Sequence, residues 1–370
     1  MGRWERPDEN SVAALKHGME FADGVEFDLR VDGDGELVIY HDEFVPGKGK
    51  LKERCIEQMS TSELGGLGIA TMGDLLENRE FTELWQAGGK TVDIEFKIPH
   101  PKNGIGTDGY LRNAMGLLEQ MLEPLDLPDR STIVSSFSPR IGPVANSVGF
   151  GIPVTRLMPR IRSWGRYWRV KRTVAMPHFA RTSVRSIAKT VRRDGMESMG
   201  MAVEYLSGWT RWINPGPPVG LDGKGLERLQ EIRQGMGLFV WPAPLEKEDA
   251  LLRAGVSIVT DHMDPQVVER PDGSPRWPRP ASQPLDEEWL ASFRQASSNE
   301  LAELMIEASE SLPSWSELEP GNRASIVKEQ GIRMRWRGTE ERWVRDAEEG
   351  LPWGSPRILG HRGAGKTHSI

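Results

Sequence analysis

The stretch Gly24–Val31, with the sequence GVEFDLRV, alternates between apolar and charged side chains. Successive residues of a β-strand point to opposite faces, so this alternation predicts a strand with one apolar face and one charged face. Glu26 and Asp28 lie on the charged face. The stretch Thr91–Lys97, TVDIEFK, repeats the pattern, and its charged face carries Asp93, Glu95 and Lys97.

Strand-like and helix-like segments alternate from Asn10 to about Asp264. Such alternation is typical of parallel strands joined by helices. Seven or eight strands favour a closed barrel over an open sheet, so the sequence predicts an α/β fold, a TIM-type (β/α)8 barrel. The strands are expected at GVEFDLRV, ELVIYHD, TVDIEFK, STIVSSF, GIPVTRLM, GMAVEYL, GLFVW and GVSIVTD.

Helices are expected between most of these strands. Residues 11–21 read as a helix whose N-cap is Asn10 or Ser11, because either side chain can accept a hydrogen bond from the first turn. Residues 71–86 and 110–125 each read as one helix.

The segment from about Arg270 to Pro356 differs in composition from the rest. It opens with the proline-rich RPDGSPRWPRPASQP, which is typical of a linker. Residues 285–312 follow with helical periodicity and many acidic side chains, and residues 323–350 read as a helix pair that packs on the barrel. We therefore expect a barrel in residues 1–270, a linker and helical appendage in 271–355, and a separate C-terminal segment in 356–370.

The charged faces of the two strands predict a metal site. In a parallel barrel the outer face of each strand packs on helices and is apolar, so the charged face points into the barrel. Three or four carboxylates that face one another there need a cation to remain ionised. Oxygen ligands suit a hard ion, so we expect one divalent cation, Mg²⁺ or Ca²⁺. The alternative is a solvated strand face on an edge hairpin, which explains the repetition on two strands less well.

The sequence between Asp28 and His41, LRVDGDGELVIY, carries Asp-Gly twice, and Asp-Gly is typical of a hairpin turn. If Asp34 and Gly35 form a two-residue turn, Asp28 lies opposite His41. If the earlier Asp-Gly pair forms the turn, His41 extends four residues beyond Asp28. The first register places an imidazole beside the carboxylates, and we expect that register.

The ordered set of motifs resembles the glycerophosphodiester phosphodiesterase family. The family pattern runs from a strand with His-Arg-Gly, through Pro-Glu-Asn, paired acids, His-Asp and Ile-Glu-x-Lys, to a late Thr-Asp. Each motif is weak alone, but their order is specific. Asp8 takes the place of the proline in Pro-Glu-Asn. The corresponding segments are DEN (8–10), ADGVEFD (22–28), DGELVIYHD (34–42), DIEFK (93–97) and VTD (259–261).

The His-Arg-Gly motif stands at an unexpected place in the chain. In the family it precedes the other motifs, whereas here it lies after them, in RILGHRGAG at Arg357–Gly365. The resemblance therefore implies a circularly permuted barrel, in which residues 1–270 lack the first strand and residues 356–370 supply it, because the first and eighth strands of a closed barrel are neighbours. Two other interpretations are open. Residues 360–367 also fit the P-loop pattern G-x-x-x-x-G-K-T, and Ile358 could begin a truncated duplicate of the domain.

The resemblance implies metal-dependent hydrolysis of glycerophosphodiesters to glycerol phosphate and an alcohol. It also implies that one divalent cation is held by Glu26, Asp28 and Glu95. Acid–base catalysis is assigned to His361 and His41, and phosphate binding to Arg362 and Lys97. Three residues have supporting roles: Glu9 orients Arg362, Asp42 is structural or catalytic, and Trp241 lines the substrate pocket or simply packs.

Two other functions remain possible. The related sphingomyelinase-D-like lipases use a similar site to form cyclic phosphates, because a substrate hydroxyl replaces water as the nucleophile. A site of that kind would act on lysophospholipids. The barrel could also be catalytically inactive and serve only for binding.

Residues 156–193 form a basic stretch, with twelve Lys or Arg, no acidic residue and three interleaved Trp or Tyr. Basic faces with aromatic residues suit an anionic membrane surface. One alternative is nucleic acid, but no recognised binding module is present. The other is a basic helical face that pairs with the acidic appendage. We expect a small-molecule substrate and no nucleic acid.

Composition narrows the cellular setting. The formal net charge of −7 excludes no class of partner. No run of about 18 apolar residues is present, and the segment MGRWERPDEN has no apolar signal core. The single cysteine, Cys55, has no disulfide partner in the chain. These features predict a reducing, cytoplasmic location, peripheral to a membrane if the basic stretch docks there.

Overall fold

The computed structural model describes residues 4–45, 54–158, 182–212, 216–334 and 340–367. The strands are β1 Gly24–Val31, β2 Leu37–Ile39, β3 Phe44–Val45, β4 Arg54–Cys55, β5 Thr91–Phe96, β6 Thr132–Ser136, β7 Val154–Leu157, β8 Ser198–Ala202, β9 Gly237–Trp241, β10 Ser257–Thr260 and β11 Ile358–His361. The α-helices are α1 Val12–Phe21, α2 Thr61–Gly65, α3 Met72–Leu76, α4 Arg79–Gln86, α5 Thr107–Leu122, α6 Ile141–Val148, α7 Val184–Arg193, α8 Gly223–Arg233, α9 Glu248–Arg253, α10 Glu287–Gln295, α11 Ser298–Ser311, α12 Pro320–Met334 and α13 Glu340–Glu349.

Eight parallel strands close into a barrel. Their order around the ring is β1, β5, β6, β7, β8, β9, β10 and β11, and β11 returns to pair with β1. Strand β11 pairs with β10 through Ile358–Gly360, and its residue His361 pairs with Glu26 of β1. The predicted TIM-type barrel is therefore confirmed. Strand β2 lies outside the ring and runs antiparallel to β1.

The two faces of β1 differ as its alternating sequence predicts. Val25, Phe27 and Leu29 are buried in the apolar layer between the strands and the helices. Glu26 and Asp28 are buried as well, but on the inner face of the barrel. The apolar outer face packs against the helices, and the acidic inner face leaves its carboxylates available for a functional site inside the barrel.

The barrel interior has an apolar floor. Four inner residues from four strands, Ile133, Phe239, Val259 and Leu359, form a buried cluster with Trp353. The Trp353 ring lies 6.5 Å from the Phe239 ring, measured between centroids. This floor lies toward the N-terminal ends of the strands, and the active sites of such barrels usually lie at the C-terminal ends.

The hairpin register expected from the sequence is wrong by one residue. Asp28 stands opposite Tyr40, whose N–H donates to the Asp28 carbonyl at 3.0 Å, and His41 lies one residue further. The cause is Asp32, because its Oδ1 accepts hydrogen bonds from two backbone N–H groups of the loop, both at 2.9 Å. These bonds stabilise a three-residue loop in place of the two-residue turn.

Helix α1 begins as its sequence predicts. The Ser11 side chain caps it by accepting a hydrogen bond from the Ala14 N–H at 3.1 Å. The single helix expected over residues 71–86 is instead two helices. Asn78 separates them, because its side chain caps α4 by accepting from the Phe81 N–H at 3.0 Å.

The helical appendage lies between β10 and β11 in the chain. Its first half, expected as one helix over residues 285–312, is also two helices, because Ser297 and Glu300 form a capping box that starts α11. The appendage has two apolar clusters of its own, one around Trp315 and Trp343 and one around Trp277 and Phe293. It therefore has cores that are separate from the main barrel core.

Asp23, just before β1, joins the appendage to the barrel. Its Oδ1 accepts hydrogen bonds from the N–H groups of Ala281 and Ser282, at 3.1 and 2.7 Å. Its Oδ2 accepts from the Ile358 N–H at 2.8 Å. One buried side chain thus connects β1, the appendage and β11 at the N-terminal end of the barrel.

Most of the basic stretch 156–193 lies outside the described residues, which resume at residue 182 after a gap that begins at 159. The predicted membrane contact falls on this part of the chain. Among the helices that are described, none has both the length and the apolar character needed to cross a membrane.

Candidate active site

Three carboxylates meet near the C-terminal ends of β1 and β5. The pairing of these two parallel strands places Asp28 beside Glu95, and Glu26 lies two residues earlier on the same face. One oxygen of each of the three side chains lies within 4.8 Å of the others. All three residues are buried. The structure therefore brings together the three residues for which a metal ion was predicted from the sequence.

The three carboxylates experience unequal electrostatic surroundings. Burial raises the pKa of Glu26 well above its usual range, and the neighbouring Asp28 and Glu95 act in the same direction. Burial alone would also raise the pKa of Asp28, but the nearby Lys97, His41 and Arg362 outweigh it and hold that pKa well below its usual range. Asp28 is therefore firmly ionised.

Among the described residues, Lys97 is the cation nearest to these carboxylates. Its Nζ lies 2.8 Å from Asp28 Oδ1 and 2.5 Å from Glu95 Oε1. Burial acts to lower the pKa of Lys97, but the two carboxylates outweigh it and raise that pKa. The ammonium group therefore stays charged and points at the same space as the three acids.

Arg362 follows β11 and is held from three sides. Its backbone N–H donates to Glu26 Oε2 at 2.9 Å, and its Nη1 donates to Glu9 Oε1 at 2.5 Å. Its Nε lies 3.3 Å from Asp28 Oδ2. The other oxygen of Glu9 accepts from the Thr367 N–H at 2.8 Å. The contact between Glu9 and Arg362 that the resemblance implies is thus present.

The turn after β11 requires glycine at position 363. Gly363 has a φ of 86°, and a Cβ there would lie 2.4 Å from the backbone carbon of Ala14. Its N–H donates to the Glu26 carbonyl at 3.2 Å. The turn thereby packs on the first helix and keeps Arg362 against the carboxylates.

His361 is the last residue of β11 and is buried beside the carboxylates. Its Nδ1 lies 2.8 Å from Asp261 Oδ1, and its Nε2 lies 3.8 Å from Glu26 Oε2. Burial lowers the pKa of the His361 imidazole, while Asp261 opposes that effect. The Asp261 side chain accounts for Nδ1, so Nε2 is the nitrogen that faces the site.

No role of Asp261 was predicted from the sequence. The signal available was its place directly after β10, in the VTD segment, because β10 neighbours the strand that carries His361. Asp261 Oδ1 also accepts from the Lys366 N–H at 3.0 Å. Burial would raise the pKa of Asp261, but His361 and Lys366 outweigh it and hold the carboxyl ionised.

His41 lies on the other side of β1, beyond the end of β2. Its Nδ1 lies 2.7 Å from Asp42 Oδ1. The imidazole is near enough to Asp28 to lower the pKa of that carboxyl. The hydrogen bond with His41 lowers the pKa of Asp42. The two histidines therefore share one arrangement, with Nδ1 facing an aspartate, but the Asp42 side chain is 66% exposed and that of Asp261 is 30% exposed.

Trp241 ends β9 and is half-buried at the C-terminal end of the barrel. Its ring meets the exposed ring of Phe137 edge to face, with centroids 5.4 Å apart. It also packs on the apolar floor. The expected packing role agrees with this position, and the expected role in lining a pocket stays a prediction.

The segment that fits the P-loop pattern has a different structure in the described residues. Its first two residues, Gly360 and His361, belong to β11. The N–H groups of Lys366 and Thr367 donate to Asp261 and Glu9, at 3.0 and 2.8 Å. A P-loop offers such N–H groups to a phosphate at the start of a helix, and here side-chain carboxylates already occupy them.

Comparison with known proteins places the chain in a family. The model of the Glycerophosphoryl diester phosphodiesterase family matches residues 2–197. A curated glycerophosphodiester phosphodiesterase from Caldanaerobacter subterraneus subsp. tengcongensis is 40% identical over 62 residues, which make up 15% of this chain and 26% of that protein. The match therefore spans about a quarter of the curated relative.

Solved structures with a similar fold include three that share low sequence identity with this chain. A glycerophosphodiester phosphodiesterase from Thermotoga maritima is 19% identical, covers 69% of this chain and 89% of its own, and has a TM-score of 0.44. One from Parabacteroides distasonis is 18% identical, with 70% and 89% covered and a TM-score of 0.47. An Oleispira antarctica phosphodiesterase in complex with the product sn-glycerol-3-phosphate is 15% identical, with 68% and 86% covered and a TM-score of 0.43.

The family match covers more than half of the chain. It includes both strands that carry the converging carboxylates Glu26, Asp28 and Glu95. The chain belongs to the glycerophosphoryl diester phosphodiesterase family.

Proposed function

We propose that this chain is a metal-dependent phosphodiesterase that hydrolyses glycerophosphodiesters to glycerol phosphate and an alcohol. The observation that carries the proposal is the convergence of three buried carboxylates within 4.8 Å, beside one histidine and two cationic side chains. Family membership supports the same reaction class. The acid–base pair, the ion and the substrate are parts of this proposal.

The residues present fit a hard divalent cation. The donor set of Glu26, Asp28 and Glu95 consists of oxygen alone, which suits Mg²⁺ or Ca²⁺. The raised pKa of Glu26 reflects burial and the repulsion among these acids, which a bound cation would relieve. When bound, the ion supplies Lewis acidity toward a phosphoryl oxygen. The three carboxylates would hold it.

Arg362 and Lys97 are proposed to bind the phosphoryl group. Negative charge grows on its non-bridging oxygens as the attacking oxygen approaches, and fixed cations stabilise that charge. Because Glu9 holds the Arg362 guanidinium in place, that group is already oriented for the substrate before binding. Lys97 adds a point charge from just beyond the end of β5, and the neighbouring Asp28 and Glu95 keep it protonated.

His361 and His41 are proposed to transfer the protons. One histidine removes a proton from the attacking water, and the other gives a proton to the oxygen of the departing alcohol. In each ring an aspartate faces Nδ1, so Nε2 is the atom available to the reacting groups. Asp42 would then orient His41, and Trp241 with Phe137 would border the space for the alcohol.

A release assay tests the proposal. The purified protein is incubated with glycerophosphodiesters that differ in their alcohol and with lysophospholipids, with and without a chelator, and the products are followed by ³¹P NMR in ¹⁸O-labelled water. We expect glycerol phosphate that carries one ¹⁸O, no product with chelator, and recovery with Mg²⁺ or Ca²⁺. A cyclic phosphate without ¹⁸O would favour the lipase-like reaction, and the absence of any product would favour a binding role.

We also propose that the chain is a circular permutant of its family. Strand β11, which carries the His-Arg-Gly motif, fills the ring position between β10 and β1, although the remaining motifs precede it in sequence. The domain division at residues 1–270, 271–355 and 356–370 belongs to this proposal. A cytoplasmic location and docking on an anionic membrane through the basic stretch stay predictions from the sequence.

A further inference from the structure

Arg30 is a buried cation on the inner face of β1 that the proposed reaction does not use. It lies two residues beyond Asp28, so both side chains share one face of the strand. The residue is only 3% exposed. A buried arginine needs partners that satisfy its charge and its donors, so its contacts indicate what it does.

The guanidinium of Arg30 contacts two chain segments at the mouth of the barrel. Its Nη2 donates to the backbone carbonyl of His41 at 3.1 Å. Its Nη1 donates to the backbone carbonyl of Ile98, just beyond β5, at 3.3 Å. One rigid side chain therefore links the segment that carries His41 to the strand that carries the metal-binding Glu95.

Glu57 fixes the guanidinium from the other side. Its Oε1 lies 3.0 Å from Arg30 Nη1, and the side chains of both residues are 2% exposed. Its Oε2 accepts a hydrogen bond from Asn103 Nδ2 at 2.6 Å. Glu57 thus fixes the guanidinium of Arg30, and Asn103 in turn fixes Glu57.

His41 depends on contacts of this kind because it lies beyond the sheet. Strand β2 ends at Ile39, and the hairpin pairing ends with the hydrogen bond from the Tyr40 N–H to the Asp28 carbonyl. One residue later, the backbone of His41 is held by a side chain instead of a neighbouring strand. Its imidazole can be placed reproducibly only if that backbone is placed first.

We propose that Arg30 is a positioning residue that fixes the backbone of His41, so that the imidazole faces the phosphodiester. The inference rests on the proposed function, in which His41 transfers a proton. A buried ion pair is a poor means of gaining stability, because desolvation offsets much of the attraction. The planar guanidinium of Arg30, by contrast, makes three directed contacts, and these are a good means of fixing the position of the neighbouring backbone.

Activity provides the first arm of the test. Arg30→Met is expected to lower kcat by about 10- to 100-fold, the effect of misplacing a catalytic group by about 1 Å, with KM and metal affinity within about threefold of wild type. The double variant Arg30→Met/His41→Ala is expected to match His41→Ala alone within about threefold, because no imidazole is left to position. Losses that multiply in the double variant would overturn the inference.

Hydrogen–deuterium exchange provides an arm that needs no activity. Residues 38–45 are expected to exchange at least about tenfold faster in Arg30→Met, since the restraint on their backbone is gone. The matched control is Arg233→Met. Arg233 is also fully buried and also donates to backbone carbonyls, those of Met236 and Gly255, but at the opposite end of the barrel. This control is expected to lower the melting temperature without changing exchange in residues 38–45 or kcat.

The two arms separate failure of this inference from failure of the proposed function. If His41→Ala keeps wild-type turnover, the proposed role of His41 is wrong, and the exchange arm still decides whether Arg30 holds the segment. Unchanged exchange in residues 38–45 overturns the inference whatever the activity. If Arg30→Met does not fold, Arg30→Lys enters both arms, because one ammonium group cannot reach Glu57 and His41 in the manner of the fork.

Discussion

The imidazole of His361 and the carboxylate of Asp261 are joined at 2.8 Å, from Nδ1 to Oδ1, across two strands that are neighbours in the barrel but about a hundred residues apart in the chain. The Lys366 N–H donates to the same oxygen at 3.0 Å. Asp261 therefore stays ionised and favours the tautomer with the proton on Nδ1. Nε2 of His361 is then left as the proton acceptor that faces Glu26.

Asp261→Asn should disable His361 without displacing it. The amide can present its N–H₂ group to Nδ1, which favours the wrong tautomer and removes the charge that stabilises an imidazolium. We expect kcat to fall by about 10²-fold or more, because general acid–base catalysis typically contributes a factor of that size to the rate. The melting temperature should change little. The control is Asp42→Asn, which should cost less because Asp42 is 66% exposed and water can replace it. Equal activity in Asp261→Asn and wild type would remove Asp261 from this role.

Glu95→Gln should weaken metal binding by about 10- to 100-fold or more, as measured by calorimetric titration of the chelator-treated protein with Mg²⁺ or Ca²⁺. The matched control is Asp93→Asn. Asp93 lies on the same strand and the same inner face, is 3% exposed, and stands outside the group of three converging carboxylates. The control should bind the ion within about threefold of wild type. If both variants lose affinity equally, the metal site is larger than the three carboxylates.

Deletion of residues 356–370 should open the barrel. Strands β1 and β10 would each lose a partner, and Ile358 and Leu359, both fully buried, would lose burial that contributes about 1.5 to 3 kcal/mol each. Activity should disappear with His361 and Arg362. Thermal unfolding and the release assay provide the measurements, and deletion of residues 368–370 alone is the control. A truncated protein that stays folded and active would contradict the permuted barrel.

Lys90 should make the stability of the protein vary with pH in the alkaline range. Burial lowers its pKa to about 7, Arg279 acts in the same direction, and Asp23 opposes them. Between pH 7 and 10.5 the unfolded chain therefore binds more protons at this residue than the folded chain, so this contribution makes stability rise with pH across that window. Lys90→Met should flatten the rise in melting temperature over this range. An identical profile in the variant would show that Lys90 titrates normally.

The inner carboxylates could be predicted from sequence because their signal is local. Because a strand has a period of two residues, the local sequence alone indicates which side chains share a face, as in GVEFDLRV and TVDIEFK. Adjacent parallel strands then bring Asp28 beside Glu95 without further information. The barrel follows from the same alternation, repeated along the chain.

Other features depend on contacts that leave no local pattern. The hairpin register changed because the Asp32 side chain bonds to loop N–H groups, an alternative that competes with a two-residue turn in any Asp-Gly sequence. The link from Arg30 to His41 ends on a backbone carbonyl, and every residue has one, so no residue type marks it. The pairing of His361 with Asp261 joins distant parts of the chain, and only the closed ring reveals it.

The place of β11 in the chain also sets the order in which the protein can mature on the ribosome. Seven strands of the ring are synthesised before the appendage, and the eighth strand follows about 100 residues later. At ordinary rates of translation this is a delay of roughly 5 to 20 s. During that interval the nascent barrel has two unsatisfied edges, which nearby chains or chaperones can engage. His361 arrives on the strand that closes those edges, and Arg362 follows directly after it. Under the proposed function, phosphodiester hydrolysis therefore begins only when the ring is closed.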